Sequence, residues 1–247
     1  MRSSIRSAFA LSLLGGMALA SASRAITLPE QTAIPVIFTH TVNAGKAKAG
    51  DVVTAKTMQV VLLPNGEQIP KGTLVTGHIV EARPFKFDET PYAVQQASYL
   101  SIQLDSVMLK GVATTMATAV RAMADPITAE EALSPHGIDE ADAVGTVVLV
   151  GGAHYSPIEK RVTAGPDDDI VGYNKKQGVF ARLLPGGFGC EGTPTEQSVA
   201  IFSPDACGLY GFGSVRLANR ASGAFRLEST HGTVTLYAGS AALLQVQ

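Results

Sequence analysis

The chain has 247 residues, 46% of them apolar and 16% charged, with a formal net charge of −2, two cysteines and no tryptophan. That length can bury a sizeable core, as one large β-domain or as two smaller ones. The mildly acidic balance leaves no electrostatic footprint for nucleic acid or anionic lipid, so no nucleic-acid partner is expected.

The first 25 residues, MRSSIRSAFALSLLGGMALASASRA, read as a secretory signal peptide. Arg2 and Arg6 supply a basic start, Ala8 to Ala20 an apolar stretch, and Ser23-Arg24-Ala25 a small-x-small cleavage pattern. Removing this segment, which carries three arginines and no acid, leaves 222 residues at a formal charge of −5. Beyond it no apolar run approaches the roughly 20 residues of a spanning helix, so no integral membrane span is expected in the mature chain. The expected location is the periplasm, the outer-membrane surface or the extracellular medium.

Residues 26–122 read as a small β-barrel domain. IPVIFTHTVNA and VVTAKTMQVVLL are extended stretches, followed by Asn65-Gly66, a strong short hairpin signal. Pro70-Lys71-Gly72 fits a second tight turn. In the next stretch, LVTGHIVEA, Gly77 has no side chain to pack and predicts a bulge or sharp bend. YLSIQLDSVML places Leu100, Ile102, Leu104 and Val107 on nearly one side, and GVATTMATAVRA follows. Short strands with so few helix signals predict an all-β protein. Residues 123–143 read as a partly helical connector, in which Thr128 and Glu131 match a capping box, with a stop near Pro135 and a further turn in the acidic IDEADA.

Residues 144–247 read as a second β-rich domain, sandwich or barrel. VGTVVLVGGAHYS, GVFARLL, SVAIFS and CGLYGFGSVRLAN have strand character, while TAGPDDDIVGYN reads as a loop. GAFRLES and GTVTLYA alternate across Thr230-His231-Gly232 as a hairpin, with Phe225 and Leu227 on one face and Arg226 and Glu228 on the other, before ALLQVQ ends the chain as a strand. Cys190 and Cys207, 17 positions apart, read as a disulfide in an exported chain, contributing about 3 kcal/mol in the chain-entropy model.

Motifs that carry chemistry are sparse. His40, His78, His136, His154 and His231 lack ligand-pair spacing, and no Gly-x-Ser-x-Gly or phosphate-cradling motif occurs. Catalytic residues and cofactors are therefore not assigned. Asp167, Asp168 and Asp169 could offer oxygens to calcium, but they lack the spacing of an EF-hand loop and read first as a solvated loop. Tyr155, Tyr173, Tyr210 and His154 are the candidate binding residues, and Tyr210 with Phe212 alternates with glycines in CGLYGFG.

At IPVIFTHTVNA, AGDVVTAKTMQVV and IPKGTLVTGHIVEA the chain resembles the small β-barrel of TrbI-type proteins, scaffold components of conjugative and type IV secretion channels. The likeness covers some 85 residues and includes Ile69-Pro70-Lys71-Gly72 with Gly77. It implies a barrel; channel membership does not carry over, because the family's glycine-rich stretch after the later strands is not matched near Asp125. The second half, with VGYNKKQGVFARL and SPDACGLYGFG, is similar to exported bacterial proteins that pair such a barrel with a cysteine-bearing β-domain. The expected function is that of a non-enzymatic envelope or extracellular protein acting through another envelope protein or a surface polymer. The alternatives are a binding module for a glycan or envelope polymer, and a secreted hydrolase built around His154 and Asp167 to Asp169.

Overall fold

The computed structural model describes residues 28–90, 92–133, 146–156, 158–165, 167, 169–187 and 189–247. The expected signal peptide, Pro135, His136, IDEADA and Asp168 lie outside these residues. In chain order the strands are β1 (Ala33–Phe38), β2 (Val42–Asn43), β3 (Val52–Thr57), β4 (Val61–Leu62), β5 (Gln68–Ile69), β6 (Leu74–Arg83), β7 (Ser98–Leu109), β8 (Val112–Thr115) and β9 (Thr118–Ala124). Helix α1 (Pro126–Glu131) follows, then β10 (Val147–Val148), β11 (His154–Tyr155), β12 (Arg161–Ala164), β13 (Asp169–Lys175), β14 (Gly178–Arg182) and β15 (Glu196–Ser198). The chain ends with β16 (Gly208–Tyr210), β17 (Val215–Asn219), β18 (Ala224–Ser229), β19 (Thr235–Leu236) and β20 (Ala241–Val246). The protein is nearly all β, as expected.

One sheet curls into a nearly closed barrel in the order β16, β9, β20, β1, β3, β6, β7, β18, β17, with β8 added on β7. Its interior is filled by alternate residues, among them Ile34, Val36 and Phe38 of β1, Leu100, Ile102 and Leu104 of β7, and Phe225 and Leu227 of β18. The rings of Phe38 and Phe225 meet with centroids 6.5 Å apart. The seam between β17 and β9 is closed by a side chain. Asn219 donates through Nδ2 to the Val120 carbonyl and accepts at Oδ1 from the Val120 N–H, both at 2.8 Å. A carboxamide offers one donor and one acceptor side by side, which is what a neighbouring strand would present. Unpaired edge groups are thereby satisfied.

The predicted irregularity at Gly77 is a register shift between β6 and β7, with Asp105 as the extra residue. A Cβ at Gly77 would lie 2.1 Å from the Gln103 carbonyl oxygen, so the strands can only approach there over a glycine.

The second sheet is a meander, β10 through β15, laid over the outer face of β1, β20 and β9. Ala33, Ala122, Ala124, Ala241 and Leu243 leave the barrel wall on that side and pack with Val162, Val171, Ala181 and Phe202. Four small side chains let the two sheets come close. Polar bolts surround this apolar seam. Gln59 donates to the Val179 carbonyl and accepts from the Val179 N–H, Gln197 accepts from the Ala33 N–H, and Ser198 donates to the Val60 carbonyl. Gly178 makes room for Gln59, because a Cβ there would lie 2.2 Å from its Oε1.

Arg121 is the deepest bolt. A bulge on β9 skips it in the pairing with β20, where Leu243 faces Ala122 and Leu244 faces Val120. The residue is 3% exposed, and its guanidinium donates to the carbonyls of Leu184, Glu191, Pro204 and Ala206, in the loops that the Cys190–Cys207 disulfide ties together. Burial pulls the guanidinium below its ordinary value, and the negative charge of Asp205 opposes that.

Several elements differ from the sequence reading. Sheet membership runs across the boundary expected at 144, because β16, β17, β18 and β20 complete the barrel begun by residues 26–122. Met123 and Ala124 end β9, fully buried, and are not connector. The helix cap is Asp125, whose carboxylate accepts from the Thr128 N–H; Thr128 itself lies inside the helix. The segment read as a loop at 163–174 carries most of β13. The strands flanking Thr230-His231-Gly232 do not pair with each other, since β18 lies between β7 and β17 while β19 pairs with β2.

Candidate interaction surface

Among the described residues no second layer covers the barrel wall opposite the second sheet, and β6, β7, β18 and β17 order its side chains in rows. One cross-strand row runs Arg83, Tyr99, Glu228, Arg216; the next runs Glu81, Ser101, Arg226, Ala218. Their neighbours in sequence, Leu100, Ile102, Phe225 and Leu227, fill the barrel, so strand alternation sends these residues outward. The guanidinium carbons of Arg226 and Arg83 lie 4.1 and 4.6 Å from the centre of the Tyr99 ring. Arg226 is further held by Ser101 Oγ at 3.0 Å and by an ion pair with Glu81, and Arg83 Nε donates to the Ala97 carbonyl at 3.0 Å. Two cations stacked on one ring and tied at their Nε atoms are fixed in direction by the fold itself.

Beyond Arg83 the β6–β7 connection stands out from the barrel. Phe87 is 65% exposed, Val94 95%, and Tyr92 fully so. Despite this exposure the loop is clamped. The side chain of Gln95 accepts from the Asp88 N–H and donates to the Asp88 carbonyl, and Asp88 Oδ1 accepts from the Thr90 N–H. The hydrogen bonds from Thr90 hold the Asp88 carboxyl below its usual range. Tyr92 adopts φ +63°, a left-handed conformation that costs of order 1 kcal/mol for a bulky residue. The clamp thus displays apolar side chains in one geometry. At its foot, where the Phe85 N–H donates to Thr233 Oγ1, a cleft of about 320 Å³ opens at the barrel end, lined in part by Phe212, His231, Thr233 and Tyr237.

The residues selected from sequence lie elsewhere. Tyr155 lines a cleft of about 340 Å³ between barrel and second sheet, and Tyr210 lines a neighbouring one of about 280 Å³; Ala132 and Leu149 border both. Burial raises the Tyr155 phenol above its ordinary value. The Tyr210 hydroxyl accepts from the Cys207 N–H beside the disulfide, at 3.1 Å. Tyr173 is exposed on β13, opposite Phe180 and Arg161, and His154 is exposed on β11, opposite Val148 and Thr163. The structure therefore brings Tyr155 and Tyr210 to adjoining clefts and leaves Tyr173 and His154 on the surface of the second sheet. Asp167 and Asp169 are exposed, and among the described residues no group of three metal-ligating side chains forms. His78 Nδ1 lies 2.7 Å from Asp105 Oδ2 on the outer wall, both side chains well exposed.

The arginine–tyrosine rows and the hairpin tip were not singled out from sequence. The signal was present for Arg226 and Glu228, which alternate outward from Phe225 and Leu227, and Tyr99 is the outward aromatic in SYLSIQL. What joins them is strand order, which no local pattern contains.

Fold and surface together define an all-β protein on a nearly closed barrel, with one wall covered by its own second sheet. Comparison with family models, curated proteins and solved structures found no match for this chain.

Proposed function

We propose that this is an exported, non-enzymatic envelope or extracellular protein that works by holding another macromolecule against the free wall and hairpin end of its barrel. The observation that carries the reading is the clamped hairpin tip, where Phe87, Tyr92 and Val94 stand in solvent at an energetic cost that folding alone does not require. The disulfide is compatible with export, and among the described residues no helix is long and apolar enough to cross a membrane.

The test is an affinity capture from native envelope extract with the disulfide-intact chain, beside a variant with Phe87, Tyr92 and Val94 all changed to Ser. The reading expects one or two stoichiometric proteins with the native chain and their loss with the variant. Equal recovery by both would remove it. The cleft lined by Phe212 and Tyr237 favours a second reading, a module for a glycan or envelope polymer, since aromatic faces beside hydroxyls suit sugar rings. That reading expects retention of polysaccharide that disappears on Tyr237→Ala.

A further inference from the structure

We infer that the occupant of this surface is a protein presenting an apolar recess flanked by carboxylates, with the hairpin tip entering the recess and Arg83 and Arg216 facing the acids. The inference rests on the contact role proposed above and names the partner's chemistry.

Three features set the chemistry. The tip supplies an aromatic and aliphatic anchor, and aromatic residues with arginine are the side chains that dominate binding energy at protein interfaces. The row beneath it supplies directed cations. Arg83 has its Nε committed to Ala97 and its plane set by Tyr99, which leaves its terminal nitrogens for a partner; Arg216 is exposed at the other end of the row, three inter-strand steps or roughly 14 Å away. Between them stands Glu228, and Glu81 is engaged by Arg226. The surface is therefore cationic at its two ends and acidic in its middle.

That sign alternation distinguishes among polyanions, bilayers and proteins. A uniformly charged polymer meets Arg83 and Arg216 favourably but is repelled at Glu228. An anionic bilayer would accept Phe87 and Tyr92 at its interface and Lys86 beside them, but its headgroups cover the surface evenly and would meet Asp88 and Glu89 too, whereas a protein can place its carboxylates opposite Arg83 and Arg216 and away from those acids. A bilayer also offers nothing to fill the cleft at the hairpin's foot. A folded protein can match a knob, a hole and alternating charges together.

The experiment places a photo-crosslinking amino acid at Tyr92, and separately at Tyr173 on the second sheet, in the full chain expressed in the cells that make it. The products are then identified by mass spectrometry. The proposal expects one predominant protein at position 92 that is absent at position 173. Its crosslinked segment should lie among Asp or Glu residues beside apolar ones. Arg83→Glu with Arg216→Glu should cut the yield about tenfold or more, since like charges then face each other, while Arg83→Lys with Arg216→Lys keeps most of it. A thermal unfolding curve of each variant checks that the fold is retained. Crosslinks to lipid, to a polysaccharide, or to a protein segment rich in Lys and Arg would overturn the proposal. A protein crosslink indifferent to charge reversal would do the same while leaving the contact role standing. No crosslink above background at position 92 would remove both.

Discussion

The two walls of the barrel are built from the same alternation and end up opposite in character. On β1, β9 and β20 both faces are buried: one face fills the barrel, and on the other Ala33, Ala122, Ala124, Ala241 and Leu243 lie under the second sheet. On β6, β7 and β18 one face is core and the other carries Glu81, Arg83, Tyr99 and Arg226. The covered wall is a joint, sealed by apolar contact and by side chains that satisfy main-chain groups. The free wall is a display, its charges fixed to each other and its hairpin clamped in solvent. This contrast, one wall spent on rigidity and one left ordered and uncovered among the described residues, is what supports the proposed contact role.

The largest effect should come from the joint. Arg121→Met would keep the bulk and remove the donors for four buried carbonyls, costing about 3–5 kcal/mol in urea unfolding with the disulfide intact. Next is the barrel seam, where Asn219→Ala removes both bonds to Val120 and should cost about 1–2 kcal/mol by the same measurement. The free wall should behave differently. Arg226→Gln should cost about 1 kcal/mol, since its ion-pair partner Glu81 is half exposed and a single cation–π contact is weak. Yet it should weaken recovery of the partner in the capture experiment. If Arg226 proved as costly to stability as Arg121, the division between joint and display would collapse.

The smallest effect concerns the clamp. The Asp88 carboxyl is held below its unfolded value, so its contribution is fully present above about pH 4 and is lost as pH falls through the lowered folded value. The amide resonance of Thr90 should therefore stay constant through neutral and mildly acid pH and move only below the ordinary carboxylate range. Movement near pH 6 would mean that another group holds the tip.

How much of this was legible in the sequence follows from the same contrast. The free wall obeys simple alternation, so Leu100, Ile102, Leu104, Phe225 and Leu227 could be assigned inward. Gly77 announced its bulge, and Cys190 with Cys207 announced the disulfide, because each depends on local chemistry. Asn65-Gly66 likewise lies in the connection between β4 and β5, with Gly66 at φ +81°. The covered wall hides its role. AIPVIF and AALLQV are apolar at nearly every position, and only the second sheet explains why Ala33, Ala241 and Leu243 on the outer face are buried as well. Arg121 looked like any surface arginine in TAVRAMA, because the carbonyls that it serves are 63 to 85 positions away. The Tyr99 platform depends on strands whose order brings β18 beside β7 across more than a hundred residues.

The central claim is that contact is made at the hairpin end and not over the second sheet. Oxidative footprinting of the tyrosines tests it most directly, comparing the purified chain with the same chain in assembled envelope fractions. Tyr92 and Tyr173 are both exposed in the free chain, so each serves as the other's control. The account predicts that Tyr92 loses most of its reactivity on assembly and Tyr173 keeps its own. Protection of Tyr173 with Tyr92 still fully reactive would contradict it and move the interface to the second sheet.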